Sequence, residues 1–257
     1  MKNKIIKILR GTIVISSFTF FGLASLFFRY ITLPIKKSIW DLTKQDYSEK
    51  NLKIRYSEVL QKSWQYFLNF LIWIKILELN IDNLERLKNI KNSIIISTHP
   101  SFIDILILIS IIPHSTCFVA ERLANNIFLK GIVNLLFIIE GQSQEDWLKD
   151  SKTMIEDGFN LIIFPMGIRH KKNERPKIRR GTALLAQKTK KNIVMINMST
   201  SYDFLQIHQP ISDAGIEPVV YNIEYKGVIA TKEFIEKYTD EVTCRTELSK
   251  YITKNLY

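Results

Sequence analysis

Short runs of large aliphatic residues recur through the second part of this chain, each bounded by polar residues. Ile94-Ile95-Ile96 is the first, and Leu161-Ile162-Ile163 and Ile193-Val194-Met195-Ile196 follow. A run of this kind, with no polar alternation, suits a strand covered on both faces. Residues 116–120 and 137–140 read as further strands, and residues 219–229 are β-rich. Between the strands lie helical patterns. Residues 102–112 form an apolar run ending before Pro113, residues 126–136 a second helix, residues 145–157 an amphipathic helix closed by Gly158, and residues 180–190 another. From Lys232 to the end the chain is helical and charged. Strands separated by helices predict an α/β sheet covered on both faces over residues 82–257.

Residues 1–81 follow another logic. Lys2, Lys4, Lys7 and Arg10 precede an uncharged run over residues 11–28. Arg29 interrupts it, and residues 30–35 are apolar again before Lys36 and Lys37. At ~1.5 Å per residue the uncharged run just spans a thin bilayer, so the expectation is a retained membrane helix, spanning or half-embedded. A cleaved signal peptide and a buried soluble helix share the layout. Residues 40–57 read as a polar connector, and residues 64–81 as a second apolar helix. Its aromatics Trp64, Tyr66, Phe67, Phe70 and Trp73 suit either a membrane interface or a packed core.

The formal net charge of +11 fits anionic lipid head groups, nucleic acid or an acidic carrier protein as partners. The abundance of Lys, Ile and Asn along the whole chain is also what a biased coding composition produces. No basic block interleaved with aromatics is present, which argues against a nucleic-acid partner. Cys117 and Cys244 form neither a disulfide framework nor a metal spacing, and a reducing compartment follows.

Two motifs close predicted strands. Ser97-Thr98-His99-Pro100-Ser101-Phe102-Ile103-Asp104 follows the first aliphatic run. A loop histidine with a carboxylate one turn into the next helix makes a base and its orienter, because the carboxylate fixes the imidazole tautomer. Alone, His99 reads more readily as a structural residue. A second His-x4-Asp pair, His208 and Asp213, lies in a polar loop with no helical run after it and reads as coincidence. The other motif, Phe164-Pro165-Met166-Gly167-Ile168-Arg169, follows the second aliphatic run. Turn N–H groups and a guanidinium together hold a phosphate or carboxylate, although a Pro-Gly turn with a solvated arginine is the plainer reading of that motif by itself.

In this order the motifs resemble those of the glycerolipid (lysophosphatidate-type) acyltransferase family, and within it the branch associated with aryl-polyene lipid pathways. The family carries His-x4-Asp, a second block, then Phe-Pro-Glu-Gly-x-Arg and an apolar strand. Here the second block is similar to Phe118-Val119-Ala120-Glu121-Arg122 running to Phe128 and Gly131, and Arg179-Arg180-Gly181-Thr182-Ala183 is similar to the segment after the third block. The resemblance implies a mixed sheet flanked by helices, preceded by a membrane helix or helices. It implies acyl transfer from acyl carrier protein or acyl-CoA to a lipid or other hydroxyl acceptor in lipid biosynthesis. His99 would be the base and Asp104 its orienter, with Phe164, Pro165, Gly167 and Arg169 binding substrate. No cofactor, metal or acyl-enzyme is implied. The expected place is the inner membrane, with the catalytic domain facing the cytoplasm.

Departures from the pattern bear on the acceptor. Thr98 stands for a common Asn, Met166 for the family's Glu, Ile168 for a hydroxyl residue and Met195 for Pro; Ile139-Glu140-Gly141 stands where an arginine often closes the second block. Loss of a pocket carboxylate and an arginine points to an acceptor other than glycerol phosphate. The alternative is a catalytically impaired member of the fold that binds lipid or serves as a partner subunit in a membrane complex.

Overall fold

The aliphatic runs pair with one another at the centre of one sheet. The computed structural model describes residues 2–27, 38, 48–126, 129–171, 177–206, 209–210 and 215–257. Its strands are β1 (Leu77–Ile81), β2 (Ile94–Ser97), β3 (Ser115–Val119), β4 (Ile138–Ile139), β5 (Asn160–Ile163), β6 (Ile193–Thr200) and β7 (Val219–Ile229). They run in the order β1-β7-β6-β2-β5-β3-β4. β6 and β7 are antiparallel and every other pairing is parallel, so the sheet is mixed. β2 pairs with β6 on one side and β5 on the other, and Ile94, Ile95 and Ile96 are fully buried. This is why their run shows no alternation: both faces of a central strand meet covering elements.

The connecting helices are α3 (Leu84–Lys88), α4 (Asp104–Ile111), α5 (Glu121–Ala124), α6 (Lys130–Leu136), α7 (Gln144–Glu156) and α8 (Gly181–Thr189), with α9 (Thr231–Lys237) and α10 (Glu241–Asn255) at the end. Ser143 caps α7 by accepting from Asp146 N–H, and Asp240 caps α10 by accepting from Thr243 N–H. At the start of β5, buried Asn160 ties together the loops that lead into β2 and β3. Its Oδ1 accepts from Ser93 N–H (3.1 Å), and its Nδ2 donates to Ile90 O (3.0 Å) and Pro113 O (2.8 Å).

The N-terminal part holds α1 (Lys2–Phe27) and α2 (Glu49–Trp73). Two expectations fail here. The connector expected up to residue 57 is already helical from Glu49, because Ser48 caps α2 by accepting from Asn51 N–H. The second helix stops at Trp73 rather than reaching residue 81. Lys75 turns the chain with a left-handed φ of 56°, and Leu77-Glu78-Leu79-Asn80-Ile81 alternates in the period of two that a strand needs. That strand, β1, pairs with β7.

Among the described residues no helix is long and apolar enough to cross a membrane, so the spanning form of the expected membrane helix is not found among them. Four cations lie in the first nine residues of α1, and its remainder, residues 11–27, is uncharged. Arg29, the apolar residues 30–35 and Lys36–Lys37 lie outside the described residues. α1 rests on the domain through buried Val14 and through Arg10, which donates to Glu217 O (2.9 Å). Helix α2 serves two surroundings at once. Leu60, Phe67, Leu68 and Leu71 join the core, while Tyr66 (77% exposed), Phe70 (41%) and Trp73 (78%) face outward.

Candidate active site

Every parallel strand of the central trio delivers its following loop to the same end of the sheet, which brings the two sequence motifs together. β2 ends at Ser97, and Thr98 fastens that end to β6: its Oγ1 accepts from Met198 N–H (2.6 Å) and lies 2.7 Å from Met198 O. The next residue, His99, opens the turn into α4, whose first residue is Asp104. The Asp104 carboxylate is fully buried. Its Oδ2 accepts from Ser101 N–H (2.7 Å) and meets His99 Nδ1 at 2.9 Å. A carboxylate accepts, so His99 carries its proton on Nδ1 and leaves Nε2 as the basic nitrogen. Burial pushes the Asp104 carboxyl above its ordinary range, while His99 and the Ser101 N–H hold it down. His99 itself is 19% exposed, so the base reaches the surface while its orienter does not.

The second motif builds the wall beside it. Phe164, just after β5, stacks on the His99 ring with centroids 3.9 Å apart and planes 12° apart. Pro165 is buried, and its carbonyl accepts from Arg179 N–H (2.8 Å). The turn closes with Gly167 N–H donating to Phe164 O (2.9 Å). Gly167 has φ +74°, and a Cβ there would meet the Arg179 guanidinium carbon at 2.5 Å. Glycine is therefore demanded both by the turn and by the arginine lying across it. Met166, in place of a carboxylate, is 3% exposed and part of the hydrophobic core. Ile168 is exposed.

Arg169 is only partly free to hold a ligand. One nitrogen donates to Leu205 O (2.6 Å), and the guanidinium lies over the Phe102 ring, 5.6 Å from its centroid. Burial lowers its pKa, Asp104 raises it again, and the neighbouring Arg122 lowers it. Arg122, from the second block and itself exposed, thus adds positive charge to the same mouth.

Several residues around the pair carry no sequence signal of their own. His170 accepts from His99 N–H at Nε2 (3.2 Å) and returns a bond from its own N–H to His99 O (3.0 Å). Gln206 donates to His170 O (2.8 Å) and also to Pro100 O, clasping both loops from the segment after β6. Tyr221 of β7 faces the buried side of Asp104. Each is a single polar residue far along the chain, and only the strand order brings it here. His208, Asp213 and Phe128 lie outside the described residues. Cys117 is a free, buried cysteine, and burial raises its thiol above its ordinary range. Among the described residues no group of three or more His, Cys, Asp or Glu could hold a metal ion.

With this geometry in hand, comparison with known proteins is specific. Residues 78–199, which include both motifs and the strands that carry them, match the family model Acyltransferase. These residues form an acyltransferase-family domain. No curated protein matches the chain. Among solved structures, the chain is similar to the 1-acyl-sn-glycerophosphate (LPA) acyltransferase PlsC from Thermotoga maritima. The TM-score is 0.61 at 12% sequence identity, over 93% of this chain and 94% of that one. At that identity the likeness shows a shared fold.

Proposed function

We propose that this protein is a membrane-associated acyltransferase that moves an acyl group from a thioester to a hydroxyl acceptor. The observation that carries it is the His99–Asp104 pair: a buried carboxylate on Nδ1 and a basic nitrogen left at the surface. His99 Nε2 takes the proton of the acceptor hydroxyl as its oxygen attacks the thioester carbonyl. The carbon–sulfur bond breaks, and the departing thiolate receives that proton from His99. Asp104 keeps the imidazole in the right tautomer and stabilises the imidazolium that forms. Phe164 fixes the ring plane. The donor is an acyl carrier protein or coenzyme A thioester.

Arg169 and Arg122 give the mouth its positive charge and favour an acceptor bearing a phosphate or other anion. Met166 is folded into the core, so the acceptor finds no carboxylate there. We infer an acceptor other than glycerol phosphate, on the membrane surface. Outward Tyr66, Phe70 and Trp73 on α2, with Ile5, Ile8 and Leu9 beside the cations of α1, support docking to the anionic cytoplasmic face of the inner membrane.

The test is thioester release by the detergent-purified chain, with acyl-CoA and acyl carrier protein donors and a panel of lipid hydroxyl acceptors, beside His99→Ala. Acceptor-dependent release that vanishes in the variant is expected. Equal release by the variant would remove His99 from the mechanism.

A further inference from the structure

Three oxygens on the inner side of the pair are buried without a hydrogen bond of regular geometry: Asp104 Oδ1, Ser101 Oγ and the Tyr221 hydroxyl. Tyr221, Ser101 and Asp104 are each fully buried. A phenylalanine would fill the core at position 221 as well, without burying a hydroxyl, and an unpaired buried hydroxyl is costly. Tyr221 sits in β7 between Leu79 of β1 and Thr200 of β6, and its side chain reaches across the sheet to interact with both Ser101 and Asp104. Asp104 Oδ2 is already engaged by His99 and the Ser101 N–H, and the other oxygen is left to the hydroxyls.

We propose that Tyr221 is a positioning residue that acts on His99 through Asp104. Its hydroxyl donates into the Asp104 Oδ1–Ser101 cluster, keeping the carboxylate ionised and turned so that Oδ2 receives the His99 Nδ1 proton. The proposal rests on the reading of His99 as the base. The charged and titratable groups around the His99–Asp104 pair are Arg169 and His170 from the segment after β5 and Tyr221 from β7. Tyr202 lies beyond Tyr221, and Arg122 beyond Arg169. All but Tyr221 remain in a Tyr221→Phe variant.

The sign of the effect follows from charge. Above its midpoint the pair is neutral histidine with an ionised aspartate. One added proton makes the pair neutral overall. Removing a donor to the carboxylate destabilises the anionic state, so the midpoint of the pair rises in Tyr221→Phe. The experiment follows the histidine ring resonances of the full-length protein by NMR across pH, assigned with His99→Ala, in wild type, Tyr221→Phe and Ser101→Ala. It is accompanied by the pH–rate profile of acyl transfer. The expected result is a rise of about one pH unit in Tyr221→Phe, a smaller rise in Ser101→Ala, and an acid limb of kcat/KM that moves with it, KM being unchanged. A midpoint that stays in place in Tyr221→Phe overturns the proposal, whether or not turnover falls. The titration needs no turnover, so a wild type that transfers nothing while the midpoint moves would defeat the acyltransferase reading and leave Tyr221 in its role.

Discussion

His99 and Phe164 lie face to face, their ring centroids 3.9 Å apart, although one follows β2 and the other β5. The stack converts the pairing of two parallel strands into the orientation of a base. Phe164→Ala removes the wall and leaves Asp104 as the main restraint on the ring. Turnover is expected to fall about 10–100-fold with acceptor KM little changed, because misplacement of a reacting group acts on the chemical step. Phe164→Tyr, which keeps the ring, should retain most of the activity. Steady-state kinetics of both variants checks this.

Asp104→Asn separates function from stability. Turnover should fall roughly 10³–10⁴-fold, as the imidazole loses the partner that fixes its tautomer. Stability should move the other way. The native carboxyl is raised above 3.8 by burial, so wild type loses stability as pH rises from 3.8 through the native value and keeps that loss above it. An asparagine has no such loss. The melting temperature of the variant relative to wild type should therefore climb across that window, and denaturation at a series of pH values would show it.

Arg169→Ala should act mainly on the acceptor. Removing an anion anchor present in both ground and transition states raises acceptor KM about tenfold and leaves kcat nearly constant. Arg169→Lys keeps the charge and loses the fork that holds Leu205 O, so it should recover only part of the affinity. A pure loss of kcat would assign the arginine to the transition state.

Gly167→Ala meets two obstacles, a φ of +74° and the Arg179 guanidinium. A cost of roughly 1–3 kcal/mol is expected from the strained backbone. Asn160→Ala, remote from the chemistry, should cost about 2–4 kcal/mol by removing three hydrogen bonds and leaving their buried and half-buried partners unpaired, with activity per folded molecule unchanged. Chemical denaturation of each variant measures these values.

The outward aromatics of α2 make a separate claim. Trp73→Ser with Tyr66→Ser should weaken sedimentation with anionic vesicles by at least about tenfold, given the apolar area such rings insert at an interface. Unchanged binding would place the membrane contact elsewhere.

The alternation of aliphatic runs with helical segments was enough to read an α/β sheet, because a strand covered on both faces must be apolar throughout. Ile94-Ile95-Ile96 and Leu161-Ile162-Ile163 are neighbours in the sheet as well as counterparts in sequence. The pair His99 and Asp104 was legible for a local reason: a turn and the first residue of the helix after it place the two side chains five positions apart, 2.9 Å from each other. The strand at residues 77–81 was misread as helix, since a single alternating pentapeptide directly after a long apolar helix has too few residues to break the pattern. What no local pattern contains is the company the pair keeps. Phe164, His170, Gln206 and Tyr221 reach it from beyond β5, beyond β6 and from β7, and that convergence depends on a strand order, β1-β7-β6-β2-β5-β3-β4, that departs from chain order. Strand order is decided by which faces and edges pack together in the whole domain. The chain by itself therefore determined the chemistry available at its motifs, and only the tertiary structure decided which distant side chains hold that chemistry in place.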